Sequence, residues 1–229
     1  MITPRLEMIL RHIFGKSCAD IGTDHAYVPI KLWESGIKVI ATDIMPGPLK
    51  MAAEHVKKQG ADIELRLGPG LAPIEKGETE SIIIAGMGGE MIEKIISEDE
   101  EKAQNARLIL QPMNRQNELR DYLLKNGYKI LEEDLALEGF KVYNLIVAEF
   151  SGEKKTDFSG YEREIDRHLP KVLYENQYFT NLMEKKKREF TKILDGLKKS
   201  KDANEDEMKK LEEVLLEIDK IGRFKDENK

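Results

Sequence analysis

Two aspartates flank a tight turn near the start of the chain, in the stretch Ala19-Asp20-Ile21-Gly22-Thr23-Asp24-His25-Ala26-Tyr27. A short apolar run precedes it and an amphipathic one follows. The stretch therefore reads as a strand–turn–helix corner, the place where α/β sheets hold cofactors. A dinucleotide fingerprint would put glycines at the positions of Gly22, Asp24 and Ala26. A carboxylate at the middle position repels a pyrophosphate and blocks the close approach that glycine permits. A donor with no phosphate and a cationic end fits better, and S-adenosylmethionine carries both an ammonium and a sulfonium. Asp43 ends the next apolar run, where an acid commonly holds ribose hydroxyls through charge-assisted hydrogen bonds. The corner is expected to be a methyl-donor site, with Asp20, Gly22, Thr23, Asp43 and Ile44 as cofactor contacts. The competing readings are local: Asp20 capping backbone N–H groups at a strand end, and Asp43 capping the helix that starts near Pro46.

Further along, Gly68 and Gly70 end a third strand, where backbone must come close to a cofactor base, although a turn alone would also use them. Ala85, Gly86 and Met87 end the central strand and complete the expected cofactor set. Gly88 follows, at the place where amino-directed methyltransferases commonly hold the target group. An Asn/Asp-Pro-Pro-aromatic motif is absent there, and the glycines would leave room for a flat base. Gln111 and Asn114 supply amides at the next strand end, suited to reading a base edge. Asp24 and His25, a carboxylate followed by an imidazole at a cofactor corner, are the expected catalytic pair, on the substrate side. His12, His55 and His168 read as structural. The sequence has no His/Cys cluster with zinc spacing, no G-x-S-x-G elbow and no phosphate loop ending in Gly-Lys-Ser/Thr. Metal, hydrolase and NTPase readings have no support.

The elements that must carry these residues alternate. Thr3-Pro4 opens an amphipathic helix that Gly15 would end. Strands are expected at Ser17 to Ile21, Lys38 to Asp43, Ile63 to Leu67, Ser81 to Ala85 and Arg107 to Leu110, with helices between them. One helix is expected from His25 to Glu34, and another from Gln116 to Asn126. Ser81 to Ala85 is apolar at almost every position, as a parallel strand covered on both faces should be. Tyr128 to Leu135 and Lys141 to Phe150 are separated by too few residues for a parallel crossover, so they should pair antiparallel. The expected fold is a doubly wound, Rossmann-like α/β sheet, parallel with an antiparallel terminal hairpin.

Composition changes from Ser151 onward. The chain has 229 residues, a net charge of −6 and 35% charged residues, against 40% hydrophobic. That balance suits a core domain with a polar helical extension. Ser151 to Ser159 reads as a linker, dividing a methyltransferase domain, 1–152, from a helical domain, 153–229. Apolar residues at helical spacing mark two helices, about Tyr178 to Lys199 and Glu205 to Ile221, joined at Ser200 to Asn204 as an antiparallel, coiled-coil-like hairpin. Lys185, Lys186, Lys187 and Arg188 begin a strongly basic half, and the second helix is acidic. The helices could complement one another across their seam, or the outer basic face could contact phosphates. A single cysteine, Cys18, excludes a disulfide within a monomer. No signal core and no apolar stretch of membrane-spanning length is evident, which makes a cytoplasmic protein the default and a membrane partner unexpected.

Taken together, ADIGTDHAYVPI, LRLGPGL, IIIAGMGG and LILQPMN…LRDYL, followed by NGY and a helical C-terminal part, closely resemble the bacterial tRNA (adenine(22)-N(1))-methyltransferases. The resemblance covers about Leu6 to Phe150 and, less specifically, the helical tail. It implies a class I methyltransferase fold, S-adenosylmethionine as donor, and N1 of an adenosine in the D-arm region of tRNA as acceptor. On that acceptor Asp24 would stabilise the charge that grows on the base and Tyr27 would stack on it. No metal is expected, and no obligate protein partner is evident in the sequence. Pro69 departs from the polar residue the family often has there, which puts a side-chain hydrogen bond to the cofactor adenine in question. Two other classes stay open. A small-molecule methyltransferase would use the hairpin as a lid or dimer contact, and a non-enzymatic helical adaptor would bind no donor.

Overall fold

The computed structural model describes residues 2–153, 161, 163–200 and 204–227. The chain divides into two compact units, Met1–Thr156 and Asp157–Lys229. From residue 154 the expected linker lies outside the described residues, as does the expected turn at 201–203.

The first unit runs α1 (Pro4–Arg11), β1 (Ser17–Ile21), α2 (Tyr27–Glu34), β2 (Lys38–Asp43), α3 (Pro46–Gln59), β3 (Glu64–Leu67), β4 (Ser81–Met87), α4 (Gly89–Glu98), α5 (Glu100–Ala103), β5 (Arg107–Pro112), α6 (Gln116–Lys125), β6 (Tyr128–Glu138) and β7 (Lys141–Phe150). Its seven strands form one sheet in the order β3-β2-β1-β4-β5-β7-β6. The first five are parallel, and β7 inserts antiparallel between β5 and β6. The order reverses at β1, which lies between β2 and β4. The crevice outside the C-terminal ends of β1 and β4 is thus the place where such a sheet takes a ligand.

The period-2 alternation of strand side chains splits the core into two layers. Ala19, Ile21, Ile82, Ile84, Leu108 and Leu110 face one way, against Ile92, Ile96 and Leu119 from α4 and α6. Cys18, Val39, Ala41, Ile83 and Ile109 face the other, against Met8, Ile9, Ile30 and Val56 from α1, α2 and α3. Coverage on both faces is why β4 is an unbroken apolar run. Burying each of the larger aliphatic side chains contributes about 1.5–3 kcal/mol. Burial and the nearby charge of Asp20 push the Cys18 thiol well up, so it behaves as a small hydrophobe.

Among the boundaries that differ from expectation, three lie near the ligand edge, and β6 runs on to Glu138. Helix α2 begins at Tyr27 rather than His25, because Asp24 and Ala26 have φ of 50° and 55°, left-handed values that no α-helix contains. Strand β4 continues to Met87 and β5 to Pro112, with Ala85 opposite Gln111 and Met87 opposite Pro112 across a bulge at Gly86. A short helix, α5, stands between β4 and β5 where none was expected.

Helix α1 is fastened across the sheet. His12 contacts Glu132 through Nδ1 and Asp134 through Nε2, both at 2.9 Å, and Arg11 reaches Asp134 at 2.8 Å. The hydrogen bond with Asp134 outweighs burial and holds the His12 imidazole above its ordinary pKa. Expected to be structural, His12 is here an ion-paired clasp between α1 and β6.

In the second unit, α7 (Glu164–His168) and a 3-10 turn (Lys171–Leu173) precede α8 (Phe179–Lys199) and α9 (Glu205–Glu227). The pairs Lys187–Asp219 and Lys198–Glu212 cross from α8 to α9 in antiparallel register. Neither α7 nor the 3-10 turn was anticipated. Both are too short to show a periodic apolar stripe.

Candidate active site

The turn after β1 is built under constraint. Gly22 has φ +75°, and a Cβ on it would lie 2.4 Å from Met87 Cε, so glycine serves both the turn and the close approach of β4. The Gly22 and Thr23 N–H groups each donate to the Thr42 carbonyl at 2.9 Å, tying the turn to β2. Asp24 and Ala26 then take left-handed backbone, at a cost of about 1 kcal/mol or more each. The turn is held by the Ala26 N–H on the Thr23 carbonyl at 2.9 Å and the Asp24 N–H on Asp43 Oδ2 at 3.4 Å. His55 Nδ1 completes it at the His25 carbonyl, 2.7 Å away.

This construction opens a cavity of about 270 Å³ at the switch point. Asp20, Gly22, Thr23, Asp24, His25 and Tyr27 line it from the β1 side, and Ala85 and Gly86 from β4. Asp20 is 6% exposed. Burial pushes its carboxyl up to about 6, with the nearby Thr23 hydroxyl acting against that rise and the charge of Asp43 adding to it. Asp24 is the opposite case, with a side chain 69% exposed and Oδ1 3.8 Å from His25 Nε2. Tyr27 is half-exposed between two imidazoles, its ring centroid 5.7 Å from that of His25 and 5.0 Å from that of His55 in an edge-on contact.

Asp43 lies beside the cavity rather than in its wall. Its Oδ1 accepts the Met45 N–H at 2.8 Å, and its carbonyl accepts the Gly68 N–H at 3.0 Å. It therefore joins the ends of β1, β2 and β3. Ile44 and Leu67 stand exposed next to it, an apolar pair at the edge of the sheet. A Cβ on Gly68 would meet Pro73 at 2.6 Å, and one on Gly70 would meet Ile95 at 3.4 Å. Gly68 thus makes room for its own loop, and Gly70, at φ +48°, serves the turn where that loop meets α4.

Two substrate-side expectations are corrected. Gln111 is fully buried. It accepts from Arg5 Nη1 at 3.5 Å and donates to the Pro112 carbonyl at 3.3 Å, so its amide is spent inside the protein because β5 runs on through it. The room expected at Gly88 and Gly89 is also taken. A Cβ on Gly88 would lie 3.1 Å from Asn114 Oδ1, and one on Gly89 would lie 2.8 Å from the Arg115 carbonyl. Asn114 is exposed but accepts the Gly89 N–H through its carbonyl at 3.2 Å and through Oδ1 at 3.3 Å. This loop pair closes the β4 and β5 ends against one another.

Two further residues belong to the site. His55, read from the sequence as structural, holds its turn through the His25 carbonyl. Arg5 of α1 lines the cavity, beneath which it approaches the Tyr143 ring at 5.5 Å. No local signal marks it, since its position is set by packing of α1 against distant strands.

On α8 the basic run divides. Lys186 is buried and donates to Glu189 at 2.9 Å, and Lys187 meets Asp219 of α9 at 2.5 Å. Lys186 is thereby corrected as a member of an outer face. It stands four residues from Leu182 and eight from Leu194, in line with the buried stripe, a phase the sequence already contained. Lys185 is half-buried, and desolvation lowers its pKa. Arg188, Lys192 and Lys199 are exposed along one groove of the helix and have no carboxylate partner among the described residues. Seam pairing and a free basic face are both present, on different residues.

Residues 2–146 match the family model described as a methyltransferase domain. The chain is 37% identical over 165 residues to the tRNA (adenine(22)-N(1))-methyltransferase of Bacillus subtilis (strain 168), covering 69% of each. Among solved structures, the B. subtilis m1A22 tRNA methyltransferase TrmK superposes with a TM-score of 0.83 at 28% identity, over 96% of this chain and 98% of that one. A Streptococcus pneumoniae protein in complex with S-adenosyl-L-methionine does so with a TM-score of 0.80 at 30% identity, over 96% and 99%.

Proposed function

The chain belongs to the tRNA (adenine(22)-N(1))-methyltransferase family, and on that premise we propose that the cavity between β1 and β4 is its donor site and the turn at Asp24 its reaction centre. Its activity is transfer of a methyl group from S-adenosylmethionine to N1 of adenine 22 in tRNA. The observation that carries the site assignment is the buried Asp20 carboxyl, held up to about 6 at the wall of that cavity. A buried acid of this kind is stabilised by a cationic ligand. The donor fits the residues present. Asp20 and the Gly22 turn would hold the amino-acid end, Asp43 the ribose hydroxyls, and Ile44 with Leu67 the adenine face.

When bound, S-adenosylmethionine supplies an electrophilic methyl group on a sulfonium. The protein's task is alignment and electrostatics, since N1 of adenine already has an in-plane lone pair and needs no base to expose it. Asp24, exposed beside the cavity, stabilises the positive charge that grows on the adenine or accepts a hydrogen bond from N6. His25 flanks that carboxylate, and Tyr27 offers a ring face on which the base stacks. N1 lies on the Watson–Crick edge, so a paired target is opened before it reaches this turn. The exposed face of Arg188, Lys192 and Lys199 grips tRNA phosphates, reading the body of the molecule by shape and charge. Among the described residues no helix is long and apolar enough to cross a membrane. The proposed setting is the cytoplasm, with tRNA as partner and no obligate protein partner.

The test is incubation with labelled S-adenosylmethionine and unmodified bulk tRNA, followed by digestion and identification of the labelled nucleoside. Label in N1-methyladenosine supports the reading. Donor binding without any labelled nucleoside overturns it in favour of a small-molecule acceptor.

A further inference from the structure

We propose that Phe140, at the tip of the β6–β7 hairpin, enters the tRNA stack where adenine 22 leaves it and holds the target base out, an inference that rests on the acceptor reading above. At 88%, its ring is the most exposed large apolar side chain among the described residues. The fold makes no use of it. Glu138 pairs with Lys141, so Gly139 and Phe140 form a two-residue turn. Such a turn asks for glycine at its first position, which Gly139 supplies at φ +60°. A polar residue serves the second position as well as an aromatic one. Phe140 has no aromatic or cationic partner among the described residues.

The hairpin carries this residue to the reaction side of the sheet. Strand β7 runs antiparallel to β5, with Leu110 opposite Ile146. Continued to the last residue of β5, that register sets Pro112 level with Asn144. Lys141 and the turn therefore stand about 10 Å past the end of β5, at the same edge as the cavity. Strand β7 lies two strands from β4, about 10 Å to the side. The support is stiff, since pairing runs unbroken from Glu132–Val147 to Glu138–Lys141. Helix α1 joins it to the cavity: Arg5 lines the cavity and approaches Tyr143 of β7, while Arg11 and His12 reach β6. Lys141, beside the ring, is exposed with no carboxylate partner among the described residues, which suits the approach of phosphates. An adenine attacked at N1 must leave its stack, and the gap it leaves is costly. An aromatic wedge on a rigid support fills that gap and recovers stacking with the bases that stay behind.

The test uses the full-length protein and a pair of unmodified tRNA transcripts that differ only opposite adenine 22, uridine in one and an abasic site in the other. Phe140→Ala should slow single-turnover methylation of the paired transcript by about tenfold or more, the worth of one stacked base, and slow the unpaired one far less. Phe140→Trp should restore the rate on the paired transcript. Affinities for tRNA and S-adenosylmethionine should change little, and thermal melts should match wild type. With 2-aminopurine in place of adenine 22 and S-adenosylhomocysteine bound, wild type should raise the fluorescence of the unstacked base, and Phe140→Ala should raise it much less. Equal slowing on both transcripts would overturn the proposal. So would a loss of tRNA affinity with single-turnover rate and fluorescence unchanged, since the ring would then grip tRNA without opening it. A wild-type protein that binds the donor but methylates neither transcript removes the acceptor reading itself, an outcome distinct from both.

Discussion

His55 on α3 donates a hydrogen bond from Nδ1 to the backbone carbonyl of His25, 2.7 Å away, and packs edge-on against Tyr27. A carbonyl oxygen only accepts, so the Nδ1 proton is fixed by this contact. One imidazole thus secures both the left-handed turn that presents Asp24 and the ring that would receive the base. His55→Ala is expected to lower kcat/KM for tRNA about tenfold, the worth of one such bond plus a ring contact. Affinity for S-adenosylmethionine, measured by calorimetry, should stay within about twofold. An equal fall in both would mean that His55 supports the whole fold rather than the turn.

Asp24→Asn keeps the shape and the left-handed backbone, which asparagine tolerates. It removes the charge. Single-turnover methyl transfer should slow by about 100-fold, the scale of a lost electrostatic contact in the transition state, while donor affinity changes little. Unchanged single-turnover rates would reject Asp24 as the stabilising group.

The raised pKa of Asp20 has opposite consequences for ligand and fold. Burial lifts the carboxyl from 3.8 to about 6. Donor binding requires the ionised form, so affinity should fall as pH drops through about 6, and binding near that pH should release a proton. The unliganded fold behaves in reverse. The native carboxyl holds its proton more tightly than the unfolded one, so this contribution to stability is full below about pH 4 and lost as pH rises through about 6. Calorimetry in buffers of different ionisation enthalpy reads the proton release, and melts from pH 4 to 7 read the stability. Asp20→Asn should flatten both dependences relative to wild type.

The two kinds of basic residue on α8 predict two phenotypes. Glutamate substitutions at Arg188, Lys192 and Lys199 should weaken tRNA binding strongly and flatten its salt dependence by roughly one unit of slope per cation, leaving the melting temperature near wild type. Lys187→Glu should instead place like charges against Asp219 and lower the stability of the hairpin. Filter binding across a salt series, with melts in parallel, separates the two. Equal loss of stability from both sets would remove the free-face assignment.

Sequence pattern exposed the sheet because the signals there are local. The apolar run at Ile82, Ile83 and Ile84 needs burial on both faces, and Asp20, Gly22 and Asp24 sit within a few residues of a strand end. The failures have a common cause in long-range packing. Gln111 follows an apolar run and so resembled a loop amide, yet the ladder continues through it to Pro112. Arg5 meets Gln111 across more than a hundred residues of chain, and nothing near position 5 encodes that approach. Lys186 differs, for its phase with Leu182 and Leu194 was legible and a run of four cations obscured it.

The clasp between α1 and β6 has a consequence for biosynthesis. A ribosome delivers residues in order, and His12 emerges more than a hundred residues ahead of its partners, Glu132 and Asp134. Until β6 leaves the exit tunnel, the helix that bears Arg5 has its apolar packing but lacks its ion-paired clasp. A nascent chain stalled before Glu132 would therefore carry every glycine and aspartate of the corner with the first helix still unclasped. The last fastening of that helix comes only with the final hairpin.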